Sequence, residues 1–163
     1  MTAREQGDHD EATLRLIEAA TQARDRAHAP YSGFAVGAAV RSTDGEVYPG
    51  CNVEISSYGL TICAERVALF AARAAGVIEF EAMAVIGPGH DGVPTPPCGA
   101  CRQVIWDLAG DIDIYLAAPD GSIETRRTSE LLPEPFGPEQ LRDASAGTRE
   151  GGGGGSAPSE GSR

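Results

Sequence analysis

The stretch Ile112-Asp113-Ile114-Tyr115-Leu116-Ala117-Ala118-Pro119-Asp120-Gly121-Ser122-Ile123-Glu124-Thr125 decides the character of the sheet. Ile112 to Ala117 reads as a strand, Pro119-Asp120-Gly121 as a tight reversal, and Ile123 to Thr125 as the returning strand. A parallel return would need a crossover of a dozen or more residues, so this pair must be antiparallel. Upstream, Cys98 to Leu108 has a helical pattern stopped by Gly110, and it follows a Pro/Gly-rich loop over Pro88 to Pro97. Glu81 to Gly87, with Met83, Ala84, Val85 and Ile86, reads as a short buried strand. Val67, Leu69, Phe70, Ala71 and Ala74 predict a helix that starts near Thr61 or Ile62 and stops at Gly76. Thr43-Asp44-Gly45 joins a strand ending at Val40 to another over Val47 to Val53, a hairpin. Leu14, Ile17, Ala20 and Arg24, with Asp10 as cap, predict a first helix over Glu11 to Ala27. The order α-β-β-α-β-α-β-β gives an α/β fold: a mixed five-stranded sheet covered by helices around one core.

With 163 residues and 41% apolar content, the chain is long enough for one well-buried core and too short for two. Seven of the 21 glycines fall between Gly147 and Gly161, and no Leu, Ile, Val, Phe, Tyr or Trp occurs after Ala144. Such a segment has nothing to bury against its ordering entropy. The expected organisation is a flexible N-terminus over 1–10, a domain over 11–142, and a Gly/Ser-rich disordered tail over 143–163. All 13 basic residues are arginine, set against 24 acids, for a formal charge of -11. That balance argues against a nucleic-acid or anionic-membrane surface. No apolar run reaches the roughly 18 residues a membrane span needs. The acidic opening residues do not resemble an export signal, so a cytoplasmic location is expected.

Without export, four cysteines are metal or redox groups before they are a disulfide framework. Cys98 and Cys101 stand three apart at the predicted start of one helix, and Cys63 stands at the start of another. Residues three apart share a helix face, so this pair can grip one ion. Helix starts present unpaired N–H groups and positive dipole, which favour thiolates. A third thiolate from Cys63 would leave one position open on a tetrahedral zinc, the geometry of a catalytic centre. Glu65 follows Cys63 by two residues, placed to exchange protons with water at that position without ligating. Arg66 is the candidate to compensate thiolate charge.

Other readings stand beside this one. A lone CxxC also suits a redox pair or half of a structural zinc site. Cys51 could serve as fourth ligand in a non-catalytic scaffold, although a cysteine in a strand is more often core. His9, His28 and His90 read as solvated residues.

The spacing CxE…PCxxC is the zinc nucleobase-deaminase signature with cysteine in the histidine position. The sequence resembles the small, homotetrameric cytidine deaminases through five blocks. These are Tyr31-Ser-Gly-Phe34-Ala-Val-Gly37, Gly50-Cys-Asn52-Val-Glu54, Tyr58-Gly-Leu-Thr-Ile-Cys63-Ala-Glu65-Arg66, Pro97-Cys98-Gly-Ala-Cys101-Arg102-Gln103, and Leu131-Leu-Pro133…Phe136-Gly. Ile55 departs from the asparagine common there.

The resemblance implies a three-layer cytidine-deaminase-like fold with one Zn2+ per subunit on Cys63, Cys98 and Cys101. It implies that Glu65 shuttles protons, that Asn52 and Glu54 hold the ribose 3′-hydroxyl, and that Phe34 packs on the nucleoside. Ala64 N–H would meet the pyrimidine O2, and the Pro96 carbonyl the departing ammonia. Tyr58 and Phe136 would lie at subunit contacts, with sites shared across a homotetramer. The implied activity is conversion of cytidine and 2′-deoxycytidine to their uridines, in pyrimidine salvage. Alternatives are another aminopyrimidine nucleoside, such as blasticidin S, and the four-cysteine scaffold.

Overall fold

The computed structural model describes residues 9–141. Residues 1–8 of the expected N-terminal segment over 1–10, and all of the expected tail over 143–163, lie outside the described residues.

Helix α1 (Glu11–Arg24) starts where Asp10 Oδ1 accepts the Thr13 N–H at 2.8 Å, the expected cap. Strands β1 (Gly37–Ser42) and β2 (Val47–Cys51) form the hairpin. A 3-10 turn (Tyr58–Leu60) leads to α2 (Ala64–Ala74), then β3 (Phe80–Ile86), α3 (Gly99–Ala109), β4 (Asp113–Ala117), β5 (Ile123–Arg127) and a short α4 (Thr128–Leu131). The strand order is β2-β1-β3-β4-β5. Only β3 and β4 are parallel, with α3 as their crossover, and β4 and β5 are antiparallel as their short link required.

Side chains alternate across the sheet with the strand period of two. Ala38, Val40, Met83, Val85, Ile114 and Leu116 face α2 and α3, where Leu69 and Ile105 complete the larger core. Ala39, Ala82, Ala84 and Ile86 face α1 and its Leu16 and Ala20. Helices therefore cover both faces, giving three layers.

Three elements differ from expectation, each for a packing reason. In α1 the buried stripe is Thr13, Leu16, Ala20 and Ala23, and Leu14 is exposed. The alanine-rich sheet face accepts the neighbouring stripe, which brings the helix closer. In α2 the buried residues are Ala64, Glu65, Ala68, Leu69 and Ala72, while Phe70 faces outward. Residue size misleads here because the contact is a close approach. A Cβ on Gly50 would lie 2.7 Å from the Ala64 carbonyl oxygen and nearer still to the Ala68 nitrogen. Strand β2 also stops at Cys51, two residues early, and Val53 makes single bridges with His28 and Ile62. Helix α2 itself begins at Ala64, with Cys63 as N-cap, and ends as expected before Gly76 at φ 94°.

Gly50 thus sets how closely the first turns of α2 meet the sheet. Gly50→Ala is expected to lower stability by about 1–3 kcal/mol through overpacking. A denaturant midpoint equal to wild type would contradict that account of the α2–β2 contact.

Candidate active site

Cys63 and Cys98 are the N-caps of α2 and α3, both with extended backbone. Neither sulfur caps its own helix, so both remain free as ligands. Cys101 lies one turn into α3 and is fully buried. The three sulfurs lie within 4.8 Å of one another, with Cys63 Sγ and Cys98 Sγ 3.9 Å apart. Sulfurs about 2.3 Å from a tetrahedral zinc stand about 3.8 Å apart, so this donor set fits that ion. Cys51 does not join the cluster; its thiol lies 3.4 Å from the Arg26 carbonyl oxygen. The four-cysteine scaffold therefore loses its fourth ligand.

Electrostatics divide the triad. Hydrogen bonding from Cys101 lowers the Cys63 thiol to about 5, with help from Arg66 and Cys98. The Cys101 thiol is pushed up by that same bond and by burial. Arg66 Nη2 stands 3.6 Å from Cys63 Sγ and 3.4 Å from the Thr61 carbonyl oxygen. Glu65 is buried at 4% exposure and is not a member of the sulfur cluster. Burial raises its carboxyl above the ordinary range, and the nearby Cys63 charge adds to the effect.

The remaining predicted residues fall into three places. Phe34, 44% exposed, shares an open cleft of about 540 Å³ with Pro96. The same cleft is lined by Val93, Pro94, Thr95 and His90, which the sequence did not mark out. Asn52 and Glu54, both buried, follow β2 and clamp the loop that carries Phe34. Asn52 Oδ1 accepts from Val36 N–H and Nδ2 donates to the Phe34 carbonyl, each at 2.9 Å. Glu54 Oε2 accepts from Tyr31 N–H at 2.8 Å and Ser32 N–H at 3.2 Å. Tyr58 and Phe136 are at the surface, 72% and 55% exposed. Tyr58 meets Tyr31 edge-on with ring centres 5.6 Å apart. Ala64, at the first position of α2, is buried, and its N–H lies among those the helix itself leaves unpaired.

Sequence reasoning quoted Arg102 and Gln103 within a motif but gave them no role. Arg102 Nε donates to the Pro97 carbonyl at 2.8 Å and its Nη1 to the Leu131 carbonyl at 2.9 Å. Gln103 donates to the Phe136 carbonyl at 2.6 Å. These two side chains fasten both the loop before Cys98 and the segment carrying Phe136 to α3. Their place directly after the last thiol is the signal that could have found them.

Three thiols at paired helix ends, with a buried glutamate outside the sulfur cluster beside them, fit the site of a metal-dependent hydrolase. Comparison with known proteins agrees. Residues 10–116 match the cytidine and deoxycytidylate deaminase zinc-binding region. The chain is 45% identical over 128 residues to a cytidine deaminase of Sporosarcina psychrophila, covering 78% of this chain and 93% of that one. The crystal structure of cytidine deaminase from Burkholderia pseudomallei superposes with a TM-score of 0.72 at 49% identity, over 76% of this chain and 98% of that one. That from Mycobacterium tuberculosis gives 0.66 at 41%, over 78% and 99%. The chain belongs to the cytidine and deoxycytidylate deaminase family.

Cys98→Ala is expected to lose bound zinc, read by metal analysis of the purified protein, whereas Cys51→Ser keeps wild-type stoichiometry. Arg66→Gln should weaken zinc about 10–100-fold in chelator competition. An unchanged affinity would remove Arg66 from the support of the site.

Proposed function

We propose that this protein catalyses hydrolytic deamination of cytidine and 2′-deoxycytidine, giving uridine and 2′-deoxyuridine with release of ammonia, as a step of pyrimidine salvage. The observation that carries the reading is the buried Glu65 beside three converging sulfurs to which it does not belong. A zinc ion held by Cys63, Cys98 and Cys101 supplies a Lewis acid that makes water acidic enough to attack at neutral pH.

Glu65 performs the proton work. Its carboxylate takes a proton from the attacking water and delivers it to ring N3 as oxygen adds to C4. It then passes the water's second proton to the 4-amino group, and the C4–N bond breaks with loss of ammonia. A carboxyl raised by burial suits this, since proton exchange is most efficient when donor and acceptor are closely matched. The Ala64 N–H is free to donate to the pyrimidine O2, and the Pro96 carbonyl faces the leaving ammonia. Phe34 stacks on the nucleoside from the cleft wall.

Asn52 and Glu54 take the ribose 3′-hydroxyl. Asn52 spends one amide hydrogen and one lone pair on the Phe34 loop, leaving one of each for a sugar hydroxyl. The exposed Tyr58 and Phe136 are the side chains with which a homotetramer would complete neighbouring sites.

Glu65→Gln should keep zinc near wild-type content while turnover falls by at least about 10²-fold. The assay is loss of absorbance on incubation with cytidine, with and without chelator. Full activity in the variant would refute the proton-shuttle role. No activity of zinc-replete wild type on cytidine or 2′-deoxycytidine would refute the substrate assignment.

A further inference from the structure

We infer that Ser32 is a positioning residue that sets preference for a free 3′-hydroxyl by fixing the Glu54 carboxylate and the Phe34 backbone in one hydrogen-bonded unit. The inference rests on the cytidine-deaminating reading of the site. The Ser32 hydroxyl donates to Glu54 Oε1 and accepts the Phe34 N–H at 2.9 Å. Ser32 N–H and Tyr31 N–H donate to the other carboxylate oxygen. Ser32 is thus the one side chain among the described residues that bonds both to the group proposed to hold the sugar and to the residue proposed to stack on the nucleoside.

The arrangement has a chemical consequence. A carboxylate holding three donors is acceptor-only, and those bonds keep Glu54 ionised below the ordinary carboxylate range. Its remaining lone pairs accept a hydroxyl proton well, and an anionic 3′-phosphate would meet charge repulsion there. Two of the three donors are backbone groups that no side-chain change removes. The third, the Ser32 hydroxyl, is the one bond to Oε1 and therefore sets the rotation of the carboxylate about its own axis. Losing it frees that rotation and also releases the Phe34 N–H.

The two effects separate by substrate. A loosened Phe34 affects any cytosine nucleoside, whereas a rotating Glu54 matters only when a 3′-hydroxyl is present to receive. The test compares kcat/KM for cytidine and 3′-deoxycytidine in wild type, Ser32→Ala and Ser32→Thr. Ser32→Ala should lose about tenfold on cytidine, mostly through KM, and about twofold on 3′-deoxycytidine. Ser32→Thr, which keeps the hydroxyl on an exposed residue, should restore most of the loss on cytidine. Equal losses on the two substrates, or none on either, overturn the inference while wild-type turnover of cytidine leaves the deaminase reading intact. Wild type inert towards cytidine instead overturns the reading beneath it.

Discussion

Three sulfurs close enough to share one ion would repel one another as they ionise, and the elements around them are placed against that repulsion. Two unit charges 3.9 Å apart oppose each other by about 4 kcal/mol at an effective dielectric of 20. A helix N-terminus returns about 0.3–1 kcal/mol to a nearby anion, rising to about 2 kcal/mol in favourable partly buried geometry. Two helix ends and Arg66 therefore cannot hold three thiolates unaided, in keeping with the upward push on the buried Cys101 thiol. The donor set is incomplete in charge without a divalent ion. The fold brings both helix ends to one point, and a bound cation would supply the rest.

That convergence is achieved with small residues. Gly50 lets the first turns of α2 lie directly on β2, and Ala39, Ala82 and Ala84 admit α1 close to the opposite face. The close approach of α1 also reaches Asn52, Glu54 and the Phe34 loop. His28, just beyond the helix, gives its N–H to the Asn52 carbonyl at 3.0 Å and accepts the Glu54 N–H at 2.8 Å. Arg24, in the last turn, donates to the Ala35 carbonyl at 3.1 Å. The loop bearing Ser32 and Phe34 is therefore suspended between the end of α1 and the end of β2. The sulfur cluster and the Ser32–Phe34 loop are positioned by helices on opposite faces of the same sheet.

The sequence made legible whatever depends on local chemistry. Pro119-Asp120-Gly121 was enough to require the antiparallel end of the sheet, and Asp10 and Gly76 marked helix limits through backbone needs that few residues meet. Cysteine spacing likewise announced the sulfur cluster, because three apart on a helix means one face. The inward faces of α1 and α2 were not legible. Periodicity finds a stripe, but choosing between adjacent stripes requires knowing that the opposing surface is made of alanine and glycine. The supporting roles of Ser32 and Arg102 were hidden for a related reason. Ser32 bonds to the Phe34 N–H and to the distant Glu54 carboxylate, and Arg102 to the carbonyls of Pro97 and Leu131; backbone partners of this kind leave no trace in residue type. Asn52 and Glu54 were found as a pair, but their hold on the Phe34 loop became visible only once that loop was in place.

The strand order β2-β1-β3-β4-β5 leaves the sheet with two open edges. On β2 the edge carries Pro49, which lacks an N–H to offer a further strand. On β5 it carries Glu124, Arg126 and Arg127, already tied into ion pairs with one another or with Asp111 and Asp113. Both borders resist extension by a neighbour's backbone. Guarded edges of this kind favour association through helix faces and loops, where contacts depend on side chains. Sheet growth, which has no natural stopping point, is discouraged from the outset.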